Sequence, residues 1–282
     1  MQNIVKPLFR NFFELYYKKN NTYSVLFGPL RGMRVSYNPS LSFLELMGLT
    51  ELTYFAILKK ILFEGGLLKK RHFVFADVGA NMGLYSLWFS RLTSTITDSQ
   101  IYAFEPVPTT VQTLIKNLEL NKIKNVRVVR EALSDKVGKC DILLTGNSHT
   151  SYLDTTGKNT EAVRTSVPTT TLDSFFFGKE NLEPPDLIKV DIEGAGTLAL
   201  DKCDKCIAAK RPFFFIESHT PDEDAAIGRL AIRNHYVAYR VTNTEWVKNL
   251  THIHPQKDGI WGKVLLIPQE FKKKFTEILH EF

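Results

Sequence analysis

From residue 72 onward the hydrophobic positions fall in short unbroken runs: HFVFADVG, QIYAFEP, VRVVREAL, DLIKVDIEG and PFFFIESH. Runs of Phe, Val and Ile with little polar alternation are the pattern of strands buried on both faces of a parallel sheet. Between them the spacing predicts helices at about 82–92, 108–121, 195–210 and 222–234, the second opening with Pro108 and the fourth with Pro221 just ahead of Asp222. Strands and helices alternating in this way predict a doubly wound α/β, Rossmann-like fold. The stretch 136–175 departs from the alternation: it is rich in Thr and Ser without a helical period, and is expected to form short strands or a loop excursion over the sheet edge. Beyond the fifth strand, YVAYRVTNTEWV and GKVLLIP read as two more strands, joined by a polar connection that contains HIHPQKDG. A short basic helix, FKKKFTEILHEF, follows.

Charge divides the chain into two parts. Residues 1–70 hold ten Lys/Arg against four Asp/Glu, whereas residues 71–282 hold 26 of each. The first part is therefore set apart as a basic, aromatic-rich N-terminal extension of helical character, and 71–282 as the main domain. Its segment LFRNFFELYYKK interleaves cations with rings, a pattern suited to peripheral contact with an anionic membrane surface. The plainer reading is an amphipathic cap on the core with its lysines in water. A neutral main domain speaks against nucleic acid as partner. No apolar run reaches the roughly 18–20 residues of a membrane span, and the N-terminus lacks the core and cleavage site of a secretory signal. The only cysteines are Cys140, Cys203 and Cys206. With so few, a reducing cytoplasmic location is expected, where the sequons at Asn20 and Asn249 carry no glycan.

The stretch FVFADVGANMG at 73–83 ends a strand at the place where open parallel sheets bind ligands. Gly79 and Gly83 let backbone come close to a ligand, and Asn81 between them tolerates left-handed φ/ψ. The stretch is neither GxGxxG nor a phosphate loop ending in GK[ST]. Asp77, just before the turn, would repel a phosphate and suits a cationic group instead. The amino acid end of S-adenosylmethionine carries such a group. Glu105, at the tip of the next strand in AFEP, can accept both hydroxyls of a ribose. A nicotinamide-dependent oxidoreductase uses a related turn and acid, and a non-enzymatic binding module built on the basic N-terminus is the second alternative.

Taken together, DVGANMGLYSL at 77–87, AFEP at 103–106, EALSD at 131–135, IKVDIEGAG at 188–196, ESHTP at 217–221 and the GKVLLIP ending resemble the FkbM-type class I S-adenosylmethionine-dependent methyltransferases over roughly residues 70–268. The resemblance implies a seven-stranded sheet, mostly parallel with the last strand antiparallel, and a cofactor lying across Asp77, Gly79, Asn81 and Glu105. It also places Ala132 against the adenine. One departure stands out: the family usually reads EGAE where this chain reads EGAG, with Gly196 in place of the second glutamate.

Methyl transfer to a hydroxyl needs alignment of the two reacting atoms and a group that takes the proton. Asp191 and Glu193, two apart in KVDIEG, and His219 at the fifth strand tip are the candidates for the base. Each also has a plain reading: Asp191 as a cofactor contact or helix cap, Glu193 as a partner of Lys189, His219 as a strand-end donor. Asp191, Glu193 and His219 could together hold magnesium, since oxygen-rich sites suit it, but nothing in the spacing demands a metal and none is expected. Cys203 and Cys206 form a lone CxxC with no second pair, so zinc is not expected either. His252 and His254 fall in the connection between the last two strands. The expected function is O-methylation of a hydroxyl on a sugar, glycan or other small metabolite.

Overall fold

The computed structural model describes residues 22–36, 47–94, 98–144, 151–153, 163–192, 196–241, 246–250 and 262–279. A short antiparallel pair comes first, β1 (Thr22–Ser24) with β2 (Arg34–Ser36), then helix α1 (Leu52–Glu64). The alternating body runs β3 (His72–Val78), α2 (Leu84–Thr93), β4 (Asp98–Phe104), α3 (Pro108–Leu120) and β5 (Val126–Val129). Four strands follow, β6 (Ala132–Leu133), β7 (Gly138–Leu144), β8 (Ser151–Leu153) and β9 (Val163–Thr170), and then the short helix α4 (Leu172–Phe177). Alternation returns with β10 (Leu187–Val190), α5 (Gly196–Leu200), α6 (Asp204–Lys210), β11 (Phe213–Ser218) and α7 (Pro221–Arg233). The chain finishes with β12 (Tyr236–Val241), β13 (Trp246–Leu250), β14 (Gly262–Pro268) and α8 (Lys272–Leu279).

The central sheet has the order β13-β12-β14-β11-β10-β3-β4-β5. Strands β3, β4, β5, β10 and β11 are mutually parallel, and β14 runs antiparallel to both its neighbours. The expected seven strands with an antiparallel last strand are all present. The count is nevertheless eight, because YVAYRVTNTEWV is not one strand: β12 stops at Val241 and β13 pairs back on it antiparallel from Trp246. From the 136–175 excursion, β7, β8 and β9 join β6 in a second sheet of order β6-β9-β7-β8, and α4 follows. The single helix expected at 195–210 is two, α5 and α6. Asp173, far away in sequence, accepts hydrogen bonds from the Lys205 and Cys206 backbone N–H groups and so starts α6 afresh.

The period of two along each strand sorts the core into two layers. Phe73, Phe75, Leu187, Phe213, Phe215, Leu265 and Ile267 face one side, packed with α1, α2 and α8. Val74, Ala76, Val78, Ile188, Val190, Phe214, Ile216 and Leu266 face the other, against α4, α6 and α7. Each fully buried Phe contributes on the order of 1.5–3 kcal/mol. Helix α1 belongs to the first layer: Phe55 is buried with its ring 4.7 Å from Tyr85 and 4.8 Å from Trp88. The preceding pair of strands is tied in as well, since the Ser36 N–H donates to Asn117 Oδ1 of α3. The described parts of residues 1–70 are thus built into the main domain's core. Among the described residues, no helix is long and apolar enough to cross a membrane.

Candidate functional site

The strand order turns back between β3 and β10, which makes the carboxyl ends of these strands the switch point of the sheet. The turn after β3 is drawn tightly over it. Gly79 and Ala80 donate backbone hydrogen bonds to the Phe104 carbonyl, at 3.1 and 3.0 Å, and Gly83 donates to Ala80 O. Gly79 has φ +72°, Asn81 +50° and Gly83 +90°. A Cβ on Gly79 would lie 1.9 Å from the Asp191 carbonyl oxygen, so the first glycine is what lets the turn sit against β10. Glu105 lies beneath the turn and is buried. Its Oε2 accepts from the Asn81 N–H and its Oε1 from the Val107 N–H, both at 3.0 Å. Burial pushes this carboxyl up to about 7, against the opposing pull of those two N–H groups. Val107 packs in turn with Ala132, Ile142 and Val167.

Strand parity continues the first core layer into a row of charges. Asp77 stands opposite Lys189 in the β3–β10 register, and Glu217 opposite Lys263 in the β11–β14 register. Asp77 is 0% exposed. Its Oδ2 accepts from the Ser86 hydroxyl at 2.7 Å, while Oδ1 has no hydrogen-bond donor and faces Lys189 Nζ at 3.4 Å. Lys189 also donates to Gly79 O at 3.1 Å and lies 3.4 Å from Asp191 Oδ2. Burial works against the Lys189 ammonium, but Asp191 and Asp77 outweigh it and raise its pKa. Asp77 therefore braces the turn from inside the protein, through Lys189, and faces Lys189 and Ser86 where the sequence suggested a cationic ligand group.

Farther along the row the site opens. Asp191, Glu217 and His219 have side chains 32%, 30% and 23% exposed. His219 Nε2 is 3.7 Å from Asp191 Oδ1 and 3.6 Å from Glu217 Oε1. Glu217 Oε2 holds Lys263, which also pairs with Glu51 at 2.8 Å, and Glu51 accepts from the Tyr85 hydroxyl at 2.5 Å. Desolvation works against ionisation of Asp191, yet Lys189, Lys263 and His219 bring its carboxyl below the usual range. Burial lowers the His219 imidazole, but Glu223, Asp191 and Glu217 together raise it above its ordinary value.

Glu223 answers the departure at Gly196. Its buried carboxylate accepts from the Gly196 N–H at 3.2 Å and from the His219 N–H at 2.6 Å, and a Cβ on residue 196 would lie 3.0 Å from Oε1. An acid from α7 thus fills the space beside residue 196. Asp77, Gly79, Asn81, Gly83 and Glu105 are gathered around one turn, with Ala132 next to Val107 and with Asp191 and His219 adjoining. Glu193, His252 and His254 lie outside the described residues. Sequence reasoning missed Lys263, Glu217 and Glu51, and took Lys189 only as a partner of Glu193. The signal for the two lysines was their place in otherwise apolar strands, LIKVD and GKVLLIP. Cys203 and Cys206 are buried free thiols with pKa values pushed up by burial, which makes them inert. An open cavity of 970 Å³ that includes Arg31, Arg91, Lys122 and Lys124 lies at the opposite, amino-terminal ends of β4 and β5.

These residues fit S-adenosylmethionine. A side-chain-free approach at Gly79, a buried acid at the second strand tip and an open polar group beyond suit a molecule with a ribose in the middle and a reactive end. Comparison with known proteins agrees with the geometry. A family model described as the methyltransferase FkbM domain matches residues 77–250. Methyltransferase 1 of Beauveria bassiana is 28% identical over 136 residues, 42% of this chain and 53% of that protein, so the chain spans about half the length of this curated relative. Among solved structures, a methyltransferase FkbM from Methylobacillus flagellatus KT aligns with TM-score 0.45 and 16% identity, over 74% of this chain and 48% of that one. A methyltransferase from Streptococcus mutans in complex with SAH aligns with TM-score 0.40 and 12% identity, over 73% and 94%. With more than half of its length matched by that one family model, the chain belongs to the FkbM methyltransferase domain family.

Proposed function

We infer that this chain is an S-adenosylmethionine-dependent methyltransferase that carries the methyl group to a hydroxyl oxygen on a sugar, glycan or other small metabolite. The observation that supports the reading most is the polar row along the sheet ends. It begins at a buried carboxylate under the glycine turn and ends at the exposed group Asp191, Glu217 and His219, which suits a hydrogen-bonding acceptor better than an apolar one.

When bound, the cofactor supplies a methyl carbon made electrophilic by a sulfonium sulfur. Glu105 would hold the ribose hydroxyls, and the backbone of the 79–83 turn would approach the amino acid end. Lys189 fixes that turn by its bond to Gly79 O. Transfer is an in-line displacement, so the chain's main task is to hold an acceptor oxygen in position and keep water out. The acceptor's proton leaves toward Asp191 and His219. Of these two, His219 is the stronger base, since its pKa is raised where that of Asp191 is lowered.

The reading is tested by incubating the protein with methyl-labelled cofactor and a panel of sugars, glycans and small hydroxylated metabolites. Label recovered as an alkali-stable methyl ether supports it. Label found only on nitrogen, on carbon or as a carboxyl ester overturns the hydroxyl acceptor.

A further inference from the structure

Asp191 Oδ1, Glu217 Oε1 and His219 Nε2 point at one another from the ends of adjacent strands, all within 4.8 Å. The imidazole nitrogen is 3.7 and 3.6 Å from the two oxygens, too far for a hydrogen bond to either. Donors around one divalent cation, each roughly 2.0–2.3 Å from it, stand about 3–3.5 Å apart. The imidazole nitrogen thus stands within a few tenths of an ångström of ligand spacing from each oxygen, and the two oxygens lie within 4.8 Å of each other. The remaining oxygen of each acid is already held. Asp191 Oδ2 faces Lys189, Glu217 Oε2 is bonded to Lys263, and His219 Nδ1 lies 3.6 Å from Glu223 Oε2. Partners of this kind orient metal ligands from behind.

Charge points the same way. The groups joined by ion pairs here are Glu51, Asp77, Asp191, Glu217 and Glu223 against Lys189 and Lys263. Five negative groups against two positive leave three negative charges when the imidazole is neutral. A dication at the centre removes most of that excess, and the two lysines are already committed to carboxylate oxygens turned away from it.

We propose that Asp191, Glu217 and His219 form a binding site for a divalent metal cation, with coordination positions left open toward solvent for an acceptor's hydroxyl groups. One imidazole with two carboxylates is a mixed nitrogen and oxygen set that suits Mn²⁺ among the cations of this class. The sequence had pointed to Glu193 as the second acid of any such set. The fold supplies Glu217 from the neighbouring strand. The site stands on this geometry alone, and its use in methyl transfer rests on the function proposed above. With the cation in place, Asp191 and His219 would serve as its ligands instead of in the base role given them above, and a hydroxyl on the cation would release its proton to solvent.

The full chain, stripped of metal with a chelator, is titrated with MnCl₂ and followed by electron paramagnetic resonance. The expected result is one equivalent bound, with the nitrogen coupling of a single imidazole. His219→Ala and Glu217→Gln lower the affinity on the order of tenfold or more. The Glu217→Gln side chain can still accept from Lys263, and thermal unfolding of each variant verifies that it is folded. Glu180→Gln, at an exposed acid paired with Arg127, leaves binding unchanged. No saturable equivalent, no nitrogen coupling, or equal affinity in folded His219→Ala and Glu217→Gln overturns the site. Calorimetry with S-adenosylhomocysteine on the same samples separates the two readings: binding of that ligand without Mn²⁺ binding removes only the cation site.

Discussion

Lys189 shows how a single residue organises the site. It sits in a four-residue apolar strand, 4% exposed, and touches Asp77, Asp191 and the Gly79 carbonyl at once. Removing one member of a buried ion pair leaves the other charge unpaired, a loss of about 3–5 kcal/mol. Lys189→Met is expected to destabilise by that amount in urea unfolding, and adding Asp77→Asn to restore part of it. A cost within the range of an ordinary surface substitution would refute the pairing. Glu105 supplies a second test. Its folded value of about 7 lies above the ordinary 4.5, so between these values the folded protein keeps a proton that the unfolded chain releases. The stability this contributes is full below the ordinary value and is lost as pH rises through the folded one. Thermal midpoints of the unliganded protein should therefore fall from about pH 5 to about pH 8, and this component should be missing in Glu105→Ala. An unchanged pH profile in the variant would contradict it. The tight turn at 79–83 and the place of Asp77 and Glu105 at strand ends were legible in the sequence, because turn glycines and strand-end acids are local signals; that Asp77 faces Lys189 was not. Glu217 and Lys263 were not, because their pairing depends on which strands lie side by side.

At the scale of elements, α1 is where charge and packing divide the chain differently. Its neighbourhood carries the chain's basic excess, and so it was grouped with an extension. The spacing of Phe55, Leu58, Ile61 and Leu62 nevertheless marks one face of a buried helix, and in the structure all four are buried. Phe55→Ala is expected to cost about 3–5 kcal/mol, as for a large core side chain. A loss near zero in chemical unfolding would mean that α1 is a detachable cap after all. The strands from β3 to β11 could be read from their unbroken apolar runs. The break between α5 and α6 could not, since the acid that starts α6 is Asp173, on another helix. That β12 ends at Val241 and β13 begins at Trp246 could not be read from YVAYRVTNTEWV, a favourable strand sequence.

For the whole molecule, one layer of the core does two tasks. The odd-numbered residues of β3, β10 and β11 and their partners on β14 are apolar along the strands and become charged toward the ends. The packing that holds α1 and α2 on the sheet thereby fixes the row from Glu105 to Lys263. Glu51 and Lys263 of that row lie outside the matched span 77–250.

The central claim is that Glu105, under the Gly79–Gly83 turn, grips the ribose of the methyl donor. Titration calorimetry of the folded chain with S-adenosylhomocysteine tests it most directly. One equivalent is expected to bind, and Glu105→Ala to weaken it roughly ten- to hundredfold, as for the loss of hydrogen bonds to a charged group. Equal affinity in the two proteins, or no binding by the folded wild type, would contradict the account.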